Sequence, residues 1–162
     1  MAPPDDLPQV IISAIKNEAE LFQALAIREV VFIEEQHVPE GIERDTEDAK
    51  AFHVIAIRGG HAIGTGRLVM LPSAPKDETG LWAQVGRMAV LQSHRKEKVG
   101  SKLLRALEEE AGRRGCSGIV LHAQLSAMDF YKKQGYLPHG AVFEEAGMPH
   151  LEMHKRVPAE KR

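Results

Sequence analysis

Along this chain, short apolar runs of strand length alternate with stretches in which apolar residues return every three or four positions. The first kind predicts strands and the second predicts helices. "QVIISAI" at 9–15 has strand composition, and "NEAELFQALAIREVVFIEEQ" at 17–36 carries helical spacing behind Asn17 as a cap. The polar, acidic "HVPEGIERDTEDAK" at 37–50, broken by Pro39 and Gly41, predicts a loop. "FHVIAIRGGHAIGTGRLVML" at 52–71 reads as two strands joined at Arg58-Gly59-Gly60, a hairpin. After a loop at 72–80 come a strand at 81–91, a helix at 98–114, a strand at 118–124 and a helix at 126–135. Two more strands follow over 136–157, around Glu145-Ala146-Gly147-Met148-Pro149.

The stretch "SHRKEKVGSKLLRAL" at 93–107 sets the chemical question. Val99, Leu103, Leu104, Leu107 and Ala111 form one apolar stripe, and Gly115 is placed to end the helix. Yet Arg95, Lys96, Lys98 and Lys102 crowd the end where the helix dipole is already positive. First-turn N–H groups have no intrahelical partner, and at Gly100 no side chain keeps a ligand away. Two readings fit: an anion site built from amides, dipole and basic side chains, or a solvated, charged helix end. The preceding strand favours the first. Leu81, Ala83 and Val85 point one way, whereas Met88 and Val90 continue the apolar face on the other parity, across Gly86-Arg87. That phase slip predicts a β-bulge, the alternative being a strand buried on both faces.

Composition narrows the class. With 162 residues, 43% hydrophobic and 27% charged, the chain suits one globular domain spanning 1–162. A net charge of −2 and 5% aromatic residues argue against a surface built for nucleic acid, so the anion is expected to be small. The single cysteine, Cys116, allows no internal disulfide and fits a reducing compartment, so a cytoplasmic protein is expected. The start "MAPPDDLPQV" lacks the basic-then-apolar form of a leader, and no stretch reaches membrane-spanning length, so no membrane partner is expected.

The order "VGRMAVLQSHRKEKVGSKLL", "IVLHAQ", "SAMDFYKKQGY" resembles the acetyl-CoA-binding core of the GNAT superfamily of N-acetyltransferases. The later family pattern, Ala-x-x-Phe-Tyr-x-x-x-Gly-Phe/Tyr, is met by Ala127, Phe130, Tyr131, Gly135 and Tyr136. The segments "VFIEEQHVPEGIERDTEDAKAFHVIA" and "EEAGMPH" are similar to a bacterial subgroup with an EEQ-x-VP segment, which extends the likeness over nearly the whole chain. The resemblance implies an α/β fold with a mixed, mostly antiparallel central sheet, splayed near its middle, with helices on both faces. It also implies acetyl-CoA as cosubstrate and an amine acceptor; homodimers are frequent in the resembling family, while the sequence itself does not set the oligomeric state.

Residue by residue, the resemblance implies that Met88, Ala89 and Val90 offer backbone groups to the pantetheine arm. Arg95 and the turn Lys96, Lys98, Val99, Gly100, Ser101 would cradle the pyrophosphate. The family's first glycine falls here on Lys98, which keeps the backbone donor but adds a Cβ and a charge. Gln124 stands where many relatives carry an asparagine, and Phe130 is implied among the cofactor-binding residues. The implied chemistry is direct attack of an amine on a thioester, with the Val90 N–H facing the oxyanion and Tyr131 as acid to the departing sulfur. Glu34 and Glu35, on the segment expected to shape the acceptor pocket, are the first candidates for general base, and His122 is a second. Either glutamate also fits an exposed helix face, and His122 a core histidine. His150 and His154 lack a third ligand, so no metal is expected. Gly64-Thr65-Gly66 lies within a strand with no helix after it, which excludes a dinucleotide fingerprint. The rival class is a non-catalytic acyl-CoA-binding regulatory module that retains the cradle without the chemistry.

Overall fold

The structure, a computed structural model, describes residues 8–158. One seven-stranded sheet runs β1 (Val10–Ala14), β2 (Phe52–Arg58), β3 (His61–Met70), β4 (Leu81–Val90), β5 (Cys116–Gln124), β7 (Met148–Arg156), β6 (Leu137–Glu145). Every neighbouring pair is antiparallel except β4 and β5. The crossover between that parallel pair carries helix α3 (Val99–Arg113), as a parallel connection requires. The β2–β3 hairpin closes on Gly59 and Gly60, both at positive φ, the conformation a two-residue turn of this kind demands.

Helix α3 lies on one face. Its predicted stripe is fully buried and packs on Val54, Ala56, Ala83, Val85, Ile119 and Leu121. Gly64 and Gly66 let it come close: a Cβ at Gly64 would stand 3.0 Å from Leu103 Cδ1, and one at Gly66 would stand 3.0 Å from Leu107 Cδ1. The Gly-Thr-Gly pattern is therefore a helix-docking surface. Helix α1 (Glu18–Arg28) covers the opposite face through Ile27 against Ala89, and its first turn is capped by Asn17 Oδ1, which accepts the Glu20 N–H at 2.9 Å. The sequence predicts one continuous helix to residue 36; instead the helix widens to a π-type turn over Glu29–Glu35, with the Gln36 N–H donating to the Val31 carbonyl five residues back. The segment 37–50 folds as a short helix α2 (Glu40–Glu43) and a capped 3₁₀ turn (Thr46–Ala49) rather than an open loop. The last helix, α4 (Met128–Lys133), follows directly on β5 through a 3₁₀ turn and packs by Phe130 and Tyr131 against the α3 side.

The predicted bulge is present. Thr65 pairs with Ala89, yet Arg67 pairs with Gly86, so β4 takes three steps where β3 takes two. Arg87 absorbs the extra residue at φ +52°. Ala83, Val85, Met88 and Val90 consequently all reach the α3 side. Beyond this point the sheet opens: β4–β5 pairing ends at Val85–Leu121, while β5 stays paired with β7 as far as Gln124–His150.

Candidate active site

The opening between β4 and β5 is a cavity of about 670 Å³. Its α3 side is walled by Met88, Val90, Phe130 and Tyr131. The Leu91 N–H donates to the Ile63 carbonyl at 2.9 Å, so by strand alternation the Val90 N–H turns away from β3, toward the gap. Tyr131 is half-buried, its ring edge-on to Phe130 and Tyr136, and its hydroxyl has no hydrogen-bond partner among the described residues. Burial pushes its phenol up to about 12, so the hydroxyl keeps its proton at neutral pH.

The start of α3 borders this half. The first backbone bond of the helix is Lys102 N–H to the Lys98 carbonyl at 3.1 Å, leaving the amides of Val99, Gly100 and Ser101 without helical acceptors. Lys96 and Lys98 both stand at positive φ, +69° and +65°. Glycine adopts that conformation freely, which accounts physically for the family's glycine at the position of Lys98. Gly100 faces Phe130, where a Cβ would lie 3.5 Å from the ring. The Val99 side chain is buried in the core, and the Ser101 hydroxyl is engaged with Gln134 Oε1.

Arg95 is placed differently from the expectation. Its Nε donates to the Val90 carbonyl at 2.9 Å, and its two terminal nitrogens hold both oxygens of Glu35 at 2.7 and 2.8 Å. The guanidinium thus ties the end of β4 to the π-type turn rather than standing free for an anion. The same pair decides the case of Glu35: the Arg95 hydrogen bonds hold its carboxyl below the usual range, and the group does not line the cavity. Glu34 is exposed and is not among the cavity walls either. The structure therefore brings neither glutamate to the gap, because the change of helical pitch turns Val31, Phe32 and Gln36 inward instead.

The α1 side of the cavity is polar. Arg28, Arg67 and Arg87, from α1, β3 and β4, bind Glu43, Asp45 and Asp48 of the acidic segment. Arg28 Nε meets Glu43 Oε1 at 2.5 Å and its Nη1 meets Asp48 Oδ1 at 2.7 Å; Arg67 Nη1 bridges Asp45 and Asp48 at 2.7 and 2.8 Å; Arg87 Nη2 reaches Asp45 at 3.1 Å. Burial alone would raise the Asp48 carboxyl, but the Arg28 and Arg67 hydrogen bonds and charges outweigh it and hold the group down at about 2. Six formal charges cancel here, so the acidic stretch is the clamp that fixes this wall of the cavity, not a free cation site.

Next along the wall, β5 and the β6–β7 hairpin present His122, Glu145 and His150. His122 Nδ1 lies 3.0 Å from Glu145 Oε1, and its hydrogen bond to that carboxylate raises the imidazole pKa above its ordinary value. Gln124 crosses the gap, its Nε2 donating to Gln36 Oε1 at 3.0 Å. The arginine clamp and Glu145 escape sequence reading; the one legible hint is Arg67, a lone charge inside the apolar strand "GTGRLVM". Among the described residues no group of three or more His, Cys, Asp or Glu is arranged to hold a metal, and no helix is long and apolar enough to cross a membrane.

A splayed parallel pair with a bulged strand beside a helix start is the arrangement that the resemblance to acetyltransferases implies, and comparison with known proteins agrees. The model of the Acetyltransferase (GNAT) family matches residues 19–136. The uncharacterised N-acetyltransferase YjcF of Bacillus subtilis (strain 168) is 40% identical over 141 residues, covering 86% of this chain and 95% of YjcF. The crystal structure of Escherichia coli ElaA aligns at TM-score 0.75 and 25% identity, over 91% of this chain and 99% of ElaA. Aminoglycoside 6′-N-acetyltransferase complexed with coenzyme A aligns at TM-score 0.67 and 19% identity, over 94% of this chain and 99% of that one. The chain belongs to the GNAT family of N-acetyltransferases.

Proposed function

We propose that the protein transfers an acetyl group from acetyl-CoA to the primary amine of a small molecule or peptide by direct attack. The observation that carries this reading is the gap between β4 and β5, which opens where the Val90 amide turns inward and Tyr131 presents a hydroxyl with no partner among the described residues. The residues fit a CoA thioester. Free first-turn amides and the α3 dipole suit the pyrophosphate, with Lys96 and Lys98 adding charge. Met88, Ala89 and Val90 offer main-chain partners to the amide-rich pantetheine arm, and the apolar Phe130 flanks it.

In the reaction, the Val90 N–H donates to the thioester oxygen as it gains negative charge. Tyr131 donates to the sulfur. A phenol held at about 12 is a weak acid in the resting protein, yet in a desolvated site its hydrogen bond strengthens as thiolate charge develops. Gln124, anchored to Gln36, closes the gap across its width. The lone, buried Cys116 supports the cytoplasm as the working compartment.

The test is calorimetric titration with acetyl-CoA and with dephospho-CoA on the wild type and on Gly100→Trp, whose side chain would collide with Phe130 and fill the cradle. Binding that is lost in the variant supports the reading. No binding to the wild type overturns it.

A further inference from the structure

Deprotonation of the acceptor amine has no owner among Glu34 and Glu35, and the remaining ionisable groups of the cavity narrow the choice. Glu43 is held by Arg28, and Asp45 by Arg67 and Arg87. Glu47 sits at the junction with a smaller groove along Val69–Pro72. His150 is buried, with its Nδ1 against the Met148 carbonyl at 2.8 Å. His122 is different. It is the first residue of β5 beyond the last β4–β5 rung, it lines the cavity, and its side chain is part-exposed.

We propose that His122 is the general base that takes the proton from the acceptor amine, with Glu145 as the positioning residue that fixes its ring. The inference rests on the acetyl-transfer reading above. Glu145 Oε1 accepts from Nδ1–H, which sets the tautomer and leaves the lone pair on Nε2. Nε2 has no hydrogen-bond partner among the described residues, the nearest carboxylate oxygen being Glu152 Oε1 at 3.7 Å. Phe143 stands edge-on at 5.0 Å and limits the ring's rotation. The face also matters. Leu121 and Ala123 point into the core beneath α3, so His122 between them points to the α1 side, whereas Tyr131 approaches from the α3 side. Base and acid therefore flank the gap from opposite faces, as a thioester lying between them requires.

The protons balance. An ammonium acceptor loses two protons as its N–C bond forms and the C–S bond breaks. One passes through Nε2 to solvent, and the other ends on sulfur beside Tyr131. Glu145 and Glu152 stabilise the imidazolium formed in the step, while Arg87 on β4 and His150 on β7 face the same carboxylate of Glu145.

Because carboxylate partners raise the imidazole pKa, the rate is expected to fall as pH drops through a value above 6.5. The experiment follows CoA release from acetyl-CoA against pH with spermidine, tyramine and a tripeptide with a free α-amine as probes. His122→Ala and the volume-conserving His122→Gln are expected to lose about 10²–10⁴-fold in rate and to lose the acid limb, while acetyl-CoA titration stays unchanged. Glu145→Gln should shift that limb to lower pH. NMR titration of the His122 ring supplies an acceptor-independent reading: an elevated wild-type pKa that drops in Glu145→Gln supports the proposal, and an ordinary value in both overturns it. Active His122 variants with an unmoved pH profile overturn the base assignment alone. A wild type that fails to bind acetyl-CoA overturns both readings together.

Discussion

The two halves of the cavity are built from different materials. The α3 side uses backbone amides, a helix start and apolar side chains, all drawn from one stretch between Leu81 and Tyr136. The α1 side uses charged side chains that meet from afar: Arg28 and Glu43 are 15 residues apart, Arg67 and Asp45 are 22, and Arg87 and Asp45 are 42. Main-chain donors bind any ligand of the right shape and tolerate side-chain change. A buried charge cluster tolerates little, since each member left alone is a desolvated ion. The α3 half thus suits the constant cosubstrate proposed above, and the α1 half is a wall whose shape depends on every one of its pairs.

Breaking the clamp gives the largest effect. Arg28→Met leaves Glu43 buried with only the longer Arg87 contact at 3.9 Å and is expected to lower stability by about 3 kcal/mol in urea unfolding. Glu43→Met in the same background should recover much of that loss, whereas a loss unchanged in the double variant would assign the effect to packing. The opposite half yields next. Tyr131→Phe should reduce kcat by about 10²-fold, the low end for an acid catalyst, with acetyl-CoA affinity unchanged. A rise in acceptor KM with kcat intact would move Tyr131 out of the chemistry.

A pH titration of stability separates the halves again. The Asp48 carboxyl, near 3.8 when unfolded, is depressed to about 2 in the fold, so its contribution is complete above the unfolded value and is lost as pH falls toward 2. The expected loss over that window is about 2 kcal/mol, measured by urea unfolding in acid; Arg28→Met should flatten it. The smallest effect lies at the helix start. Lys98→Gly relieves a left-handed residue and should stabilise by about 1 kcal/mol, with somewhat weaker acetyl-CoA binding from the lost charge. A destabilised Lys98→Gly would show that the lysine stem packs usefully where it stands.

Much of the fold was legible because its signals are local. The stripe Val99, Leu103, Leu104, Leu107, Ala111 follows from helical period, the Gly59-Gly60 turn from positive φ, and the bulge at Arg87 from a parity change between Val85 and Met88. The proposed cradle and Tyr131 come from the same local stretch. Placement of Glu34, Glu35 and Arg95 was not legible. A π-type turn differs from an α-helix by one hydrogen-bond step, and nothing in "EVVFIEE" distinguishes them by period. That single step turns Gln36 to the cavity and leaves Glu34 in solvent.

By itself, then, the chain's pattern determined the strand and helix order, the bulge and the basic start of α3, because each depends on residues a few positions apart. Only the tertiary structure decided which charges face the cavity. His122 gains Glu145 across β7, and the acidic segment gains its arginines from α1, β3 and β4, through contacts that exist once the sheet has formed. Side chains brought together over long separations leave no period in the sequence, and their electrostatics arise from burial that the fold alone provides.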